Sequence, residues 1–241
     1  MNSKFVFIAL LFFIFSCSFV NDDNTYIKDK INIFGLISPD KRENFVIIDS
    51  IASISSSDSE SIHTVTDALV LMNGIECPYT ASQTNIYNGY YLITENPREG
   101  DVCSLFIVYR GDTLNASTRV PSSPVLIGIE DSQTIFYDSS SIFFWKSSNT
   151  SFYRVEFMAY SDTFYTNYFM IYSIDDTFMT GGMFRYFLPE TITVDIIVSA
   201  LDTNYAIKEF YGESTIKDGY GIFGSFSKSI TKGVRLITNL Y

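Results

Sequence analysis

Residues 152–160, FYRVEFMAY, alternate in character: Tyr153, Val155, Phe157 and Ala159 fall on one side, Arg154 and Glu156 on the other. The stretch TITVDIIVSALD repeats the pattern, with Ile192, Val194, Ile196, Val198 and Ala200 inward and Thr193, Asp195 and Ser199 outward. A period of two marks a strand buried on one face, as two packed sheets require. Shorter β-branched and aromatic runs come earlier: INIFGLIS from Ile31, then NFVIIDSIASI, TVTDALVLMNG, GYYLITE and SLFIVYRGDTLNASTRVP. Asn73-Gly74 and Asn88-Gly89 read as tight turns, because both residue types tolerate positive φ. No segment carries a convincing helical stripe of good helix formers, so the expected fold class is all-β. RVPSSPV breaks the ladder at Pro121 and Pro124, which cannot donate to a neighbouring strand. The expectation is two β-sandwich domains in series, 31–122 and 123–241, abutting across this short link.

Upstream of Ile31 the pattern changes. Phe5 to Phe15 is an unbroken apolar run behind Lys4. It is too short to cross a hydrocarbon core as helix, which takes about 20 residues. One basic residue, a short apolar core and then small residues is the layout of a secretory signal. Ile14-Phe15-Ser16-Cys17 resembles a bacterial lipobox, with Phe15 bulkier than the usual residue there. That resemblance implies a signal peptide over 1–16 and lipidation of Cys17, with two or three acyl chains holding the chain at a membrane. An ordinary signal with an incidental cysteine, or a short uncleaved anchor, are the alternatives. Residues 17–30 are polar and read as a tether. Asp22 and Asp23 within it are similar to the acidic cluster that marks surface export in some bacterial groups.

Charge and chemistry narrow the function. Acidic residues number 27 against 16 basic, a net charge of −11, which disfavours nucleic acid or anionic lipid as a partner for a basic face. After export, Cys77 and Cys103 are candidates for a disulfide; two buried free thiols are the alternative. His63 is the one histidine, in the serine-rich stretch 53–63, and reads as an exposed loop residue. It offers neither a metal ligand set nor the base that a serine or cysteine hydrolase needs. The acidic pairs Asp175-Asp176 and Asp58/Glu60 read as solvated turns, not as facing carboxylates of a glycosidase or a calcium loop. GYGIFG, from Gly219, reads as a bulged or closely packed strand. No metal, cofactor or catalytic residue is expected, and the protein reads as a non-enzyme.

One region departs from strand alternation. Between Met158 and Phe187 lie four of the six methionines and a dense set of Phe and Tyr. TNYFMIY and TFMTGGMFRYF place such residues consecutively, so a single strand cannot bury them all on one face. The expected partner surface is Phe178, Met179, Met183 and Phe184, flanking a turn at Gly181-Gly182, with core filling as the alternative reading.

Trp145 followed by YRVEF, and Leu188-Pro189 ahead of an alternating strand, make residues 124–226 similar to a fibronectin type III domain. Ile192 stands where that fold usually has its corner tyrosine. The lipobox cysteine, TDALVLMNG, REGDVCSLFIVYRGDTLNASTRVP, the tryptophan strand and DGYGIFGSFS together resemble a lipoprotein family of unknown function in Bacteroidota-like bacteria. The resemblance implies a first domain like the transthyretin or carboxypeptidase-regulatory sandwich, then a fibronectin-like domain with a C-terminal extension. Genes of that family often sit beside TonB-dependent outer-membrane receptors. The implied role is a binding or assembly module, anchored at the outer membrane through lipid on Cys17 and accessory to such a receptor. The alternative is a surface glycan-binding protein with exposed tyrosines as stacking platforms.

Overall fold

The computed structural model describes residues 31–50, 63–82, 88–137, 142–146, 149–160, 165–174, 177–179 and 191–238. The earlier strands are β1 (Ile31–Ile37), β2 (Asn44–Ser50), β3 (His63–Thr64), β4 (Leu69–Met72), β5 (Ile75–Glu76), β6 (Tyr79–Ala81), β7 (Gly89–Ile93), β8 (Val102–Tyr109) and β9 (Asp112–Arg119). The later ones are β10 (Val125–Leu126), β11 (Thr134–Tyr137), β12 (Ile142–Lys146), β13 (Phe152–Tyr160), β14 (Tyr165–Ser173), β15 (Thr177–Met179), β16 (Thr191–Leu201) and β17 (Tyr220–Thr238). The described residues are thus mostly strand, with one short helix, α1 (Thr203–Tyr211).

Strand character follows the sequence alternation closely. In β8, Cys103, Leu105 and Ile107 are buried, while Val102, Ser104 and Phe106 face out. Its hairpin to β9 turns on Arg110-Gly111, with φ of 50° and 90°, in the left-handed region that two-residue hairpin loops require. Asn73-Gly74 does the same between β4 and β5, with φ of 52° and 81°. Asn88-Gly89, expected as a turn, is not one: Gly89 opens β7 opposite Ala81. A Cβ there would lie 2.7 Å from the Thr80 carbonyl oxygen, so glycine serves close approach of two strands rather than a bend.

The strands form a ten-stranded sheet whose main path runs β14-β13-β16-β17-β1-β2-β7-β6, a four-stranded sheet β5-β4-β8-β9 and a three-stranded sheet β10-β12-β15. Ile33, Ile37, Val46, Ile48 and Tyr91 of the large sheet share a core with Val70, Leu105, Ile107 and Leu114 of the four-stranded one. A second core gathers Phe143 and Trp145 of β12 with Tyr153, Val155 and Phe157 of β13, Val194, Ile196 and Val198 of β16, and Val234 and Leu236 of β17. Trp145 packs on Tyr153 with ring centroids 5.2 Å apart.

β17 belongs to both cores. From Tyr220 to Ser225 it runs parallel to β1; from Phe226 to Ile237 it runs antiparallel to β16. Phe223 enters the first core and Val234 the second. The glycine-rich stretch GYGIFG is the part of β17 lying against β1, a closely packed strand. Gly221 has φ of +104°, and a Cβ there would strike the Ile33 carbonyl. Residues 120–124, with Pro121 and Pro124, lie in no strand, between β9 of the four-stranded sheet and β10 of the three-stranded one, while the large sheet draws strands from both sides of them. The intervening link is held by β17: Ser225 Oγ donates to the Arg119 carbonyl at 2.9 Å and Ser227 Oγ to the Pro121 carbonyl at 2.6 Å.

The outward faces of β13 and β16 are not the solvated surfaces their polar residues suggest. Glu156 is 7% exposed, Asp195 is 8% exposed and Ser199 is fully buried. On this face Tyr205 of α1, which follows β16 directly, packs beside Leu201, Phe152 and Tyr172, while Asp195 Oδ1 accepts from Gly233 N at 2.8 Å.

Candidate functional site

The segment that ends β16 builds the junction between the two cores. Asp202 caps α1, and Gly212 closes it in the left-handed region with φ of 71°, donating to the Lys208 carbonyl at 2.9 Å. This helix was not expected from the sequence, because its apolar positions are few and its single face reads weakly. The signal that could have found it is an Asp cap at 202 and a Gly stop at 212, on either side of the nine-residue helix that contains YAIKEFY.

The Asp202 carboxylate takes four hydrogen bonds. Oδ1 accepts from Ser225 N at 2.8 Å and Tyr205 N at 2.9 Å. Oδ2 accepts from the Thr118 hydroxyl at 2.6 Å and Asn204 N at 3.2 Å. One side chain thereby ties β9, β17 and the helix start together. Burial pushes its pKa above the usual carboxylate value, and these hydrogen bonds oppose that push. With both oxygens engaged by the fold, Asp202 acts as a strut.

Above this strut lies a cleft of about 440 Å³ where β9, the segment after Arg119 and the residues entering β13 meet α1. Its walls carry Arg119, Asn149, Ser151, Phe152 and Asn204. Asn149 is oriented by Ser122 N, which donates to its Oδ1 at 3.0 Å, leaving the Nδ2 amide hydrogens toward other partners. Asn204 is oriented the opposite way: its Nδ2 donates to the carbonyls of Ser117 at 2.7 Å and Phe223 at 2.9 Å, leaving Oδ1 as an acceptor. Thr150 Oγ1 donates to the Leu201 carbonyl at 2.5 Å and steadies the wall.

Beyond Phe152 the cleft opens onto aromatic rings. Phe152 lies 5.8 Å from Phe210, which stands 5.1 Å from Tyr172 and 6.5 Å from Tyr211. Beneath them Arg154 Nη1 donates to the Tyr205 hydroxyl at 2.7 Å, and its Nε lies 3.4 Å from Glu156. The Tyr172 hydroxyl donates to Glu209; burial, then that carboxylate, raises the Tyr172 pKa.

The residues singled out from sequence are not brought together. Cys17 lies outside the described residues, as do Met183, Phe184, Gly181-Gly182, Asp58, Glu60, Asp175 and Asp176. Phe178 and Met179 are in β15, in register with Phe143 and Ile142 of β12. His63 begins β3, opposite Ser50 of β2. Cys77 and Cys103 are both buried in the first core and stand as free thiols. Burial raises both, Cys103 to about 11, so neither is a reactive thiolate at neutral pH. Among the described residues no group of three His, Cys, Asp or Glu is placed to hold a metal ion, and no helix is long and apolar enough to cross a membrane.

A scan against models of protein families found no match to this chain, and a search of curated proteins found none either.

Proposed function

We propose that this protein is a lipoprotein of the bacterial envelope, a non-enzymatic binding or assembly module of two β-sandwich lobes held at the outer membrane by lipid on Cys17. The first lobe is of the transthyretin or carboxypeptidase-regulatory kind and the second of the fibronectin type III kind; its partner is a TonB-dependent receptor. The observation that carries the reading is Cys17, closing a short apolar run behind Lys4 and preceding a polar stretch and then a mostly β-strand fold. Two acyl chains on one cysteine suffice for stable anchoring, so no apolar helix is needed. The two cores joined through β17 suit a module that presents surfaces in fixed relation.

Mass spectrometry of the mature N-terminus tests the reading. Acylated Cys17 as first residue is the expected result, and Cys17→Ala should leave an unprocessed precursor or release the protein from membranes. A mature chain that begins elsewhere and carries no acyl mass overturns it. Pull-down from detergent-solubilised membranes, with Phe178→Ser/Met179→Ser and Met183→Ser/Phe184→Ser as comparison, then reads the partner. Recovery of an outer-membrane receptor, lost in those variants at unchanged thermal midpoint, is expected.

A further inference from the structure

We infer that the junction cleft and the aromatic ledge beside it form a binding site for a neutral oligosaccharide. The polar groups come first. Asn149 presents an amide donor and Asn204 a carbonyl acceptor, each already fixed by bonds to the backbone, so neither pays an ordering cost on binding. Arg119 lines the same cleft, and its exposed side chain has no hydrogen bond or ion pair among the described residues. Sugar hydroxyls both donate and accept, and a cleft with fixed donors and a fixed acceptor answers both. A pocket of about 440 Å³ falls within the size range of small-ligand sites, roughly 300–1,000 Å³.

The apolar groups follow. A pyranose ring shows C–H groups on its flat face, which pack on aromatic rings. Phe152 lines the cleft, and from it the rings step to Phe210, 39% exposed, and Tyr211, 71% exposed. Two ring-to-ring steps beyond the cleft seat a chain of sugars rather than a single one. Glu209, bonded to Tyr172 beside Phe210, adds a carboxylate at the ledge.

Charge and backbone decide against other ligands. With Asp202 in the floor and a net charge of −11, one arginine does not make an anion site. An extended peptide adding to the edge strand β9 meets an edge already engaged: Asn115 bridges to Lys217, the Ser117 carbonyl accepts from Asn204, and the Arg119 carbonyl from Ser225.

The inference rests on the reading of this protein as a binding module, but its test is separate from lipidation. The full chain, purified in detergent, is applied to a printed array of neutral and acidic oligosaccharides, and the best neutral one is then titrated in solution. Tyr211→Ala and Arg119→Ala change exposed side chains and should keep the thermal midpoint while weakening that binding at least tenfold. Phe136→Ala, an exposed residue on β11, should leave it unchanged. No retention on the array, retention of acidic sugars alone, equal binding by both variants, or capture of a peptide from a random library in place of sugars each overturns the proposal. Acylated Cys17 with no sugar binding would sink the cleft while sparing the anchor; the reverse would do the opposite.

Discussion

Asp202 carries more structural duty than any other polar residue described. Its carboxylate caps α1 and also satisfies the Thr118 hydroxyl and the Ser225 amide, which sit on different strands. Losing a helix cap costs about 1 kcal/mol, and each buried donor left without an acceptor costs about 1–3 kcal/mol. Asp202→Ala should therefore lower stability by about 3 kcal/mol or more in urea titration, whereas Asp202→Asn, which keeps an oxygen acceptor for the cap, should lose less. Asp49 is the contrasting case. It is buried on β2 with Oδ1 lacking a hydrogen-bond partner, and burial raises its pKa against the Thr64 hydrogen bond that lowers it. Both aspartates thus hold protons in the folded state at pH values where the unfolded chain, titrating near 3.8, has lost them. Their stabilising contribution is full below 3.8 and declines as pH rises through their higher folded values. Asp49→Asn should raise the urea midpoint at pH 7 and flatten the slope of stability between pH 4 and pH 7. An unchanged slope would show that the carboxylate is solvated in solution.

Among the elements, β17 decides the architecture, and its glycines explain how. Beside β1 the strand comes so close that a Cβ at Gly221 meets the Ile33 backbone, and φ of +104° is itself strained for any other residue. Gly224 is crowded from the other side, where a Cβ would lie 3.0 Å from Tyr205 N of α1. Gly74 has φ of +81° but open space around it. Gly74→Ala should cost only the left-handed backbone penalty, about 1–2 kcal/mol. Gly221→Ala should cost clearly more, because a carbonyl in a sheet cannot step aside. Thermal denaturation of the two variants makes the comparison, and equal losses would show that β1 and β17 do not pack as described. The alternation of β8, β13 and β16 was legible in the sequence, since the period of two is a local property of each strand. The burial of Glu156 and Ser199 was not, because it depends on tertiary packing that the strand's own period does not contain.

At the scale of the molecule, the prolines at 121 and 124 suggested a division that the hydrogen bonds bridge. β1 is covered on one edge by β2 and on the other by a strand that begins at Tyr220. Removing that strand uncovers the β1 edge and takes Phe223 out of the first core. A fragment of residues 31–122 should therefore fail to give a dispersed amide spectrum or a cooperative melt, while the full chain melts in a single transition. A well-folded fragment would show that the β17 contribution to the first core is dispensable. Pairing β1 with β17 closes most of the chain into one loop, so folding should be slow for the size of the protein.

The local pattern was enough to establish strands, most of their inward faces, the Asn73-Gly74 turn and the close packing of GYGIFG, because side-chain period and allowed φ are decided within a few residues. Tertiary structure alone decided that the last strand joins the first, that Ser225 and Ser227 hold the proline link, and that Arg119, Asn149 and Asn204 face one cleft. Those residues are distant in sequence and ordinary in type. The two asparagines are oriented by hydrogen bonds that fix each amide, and those depend on partners the local pattern does not contain.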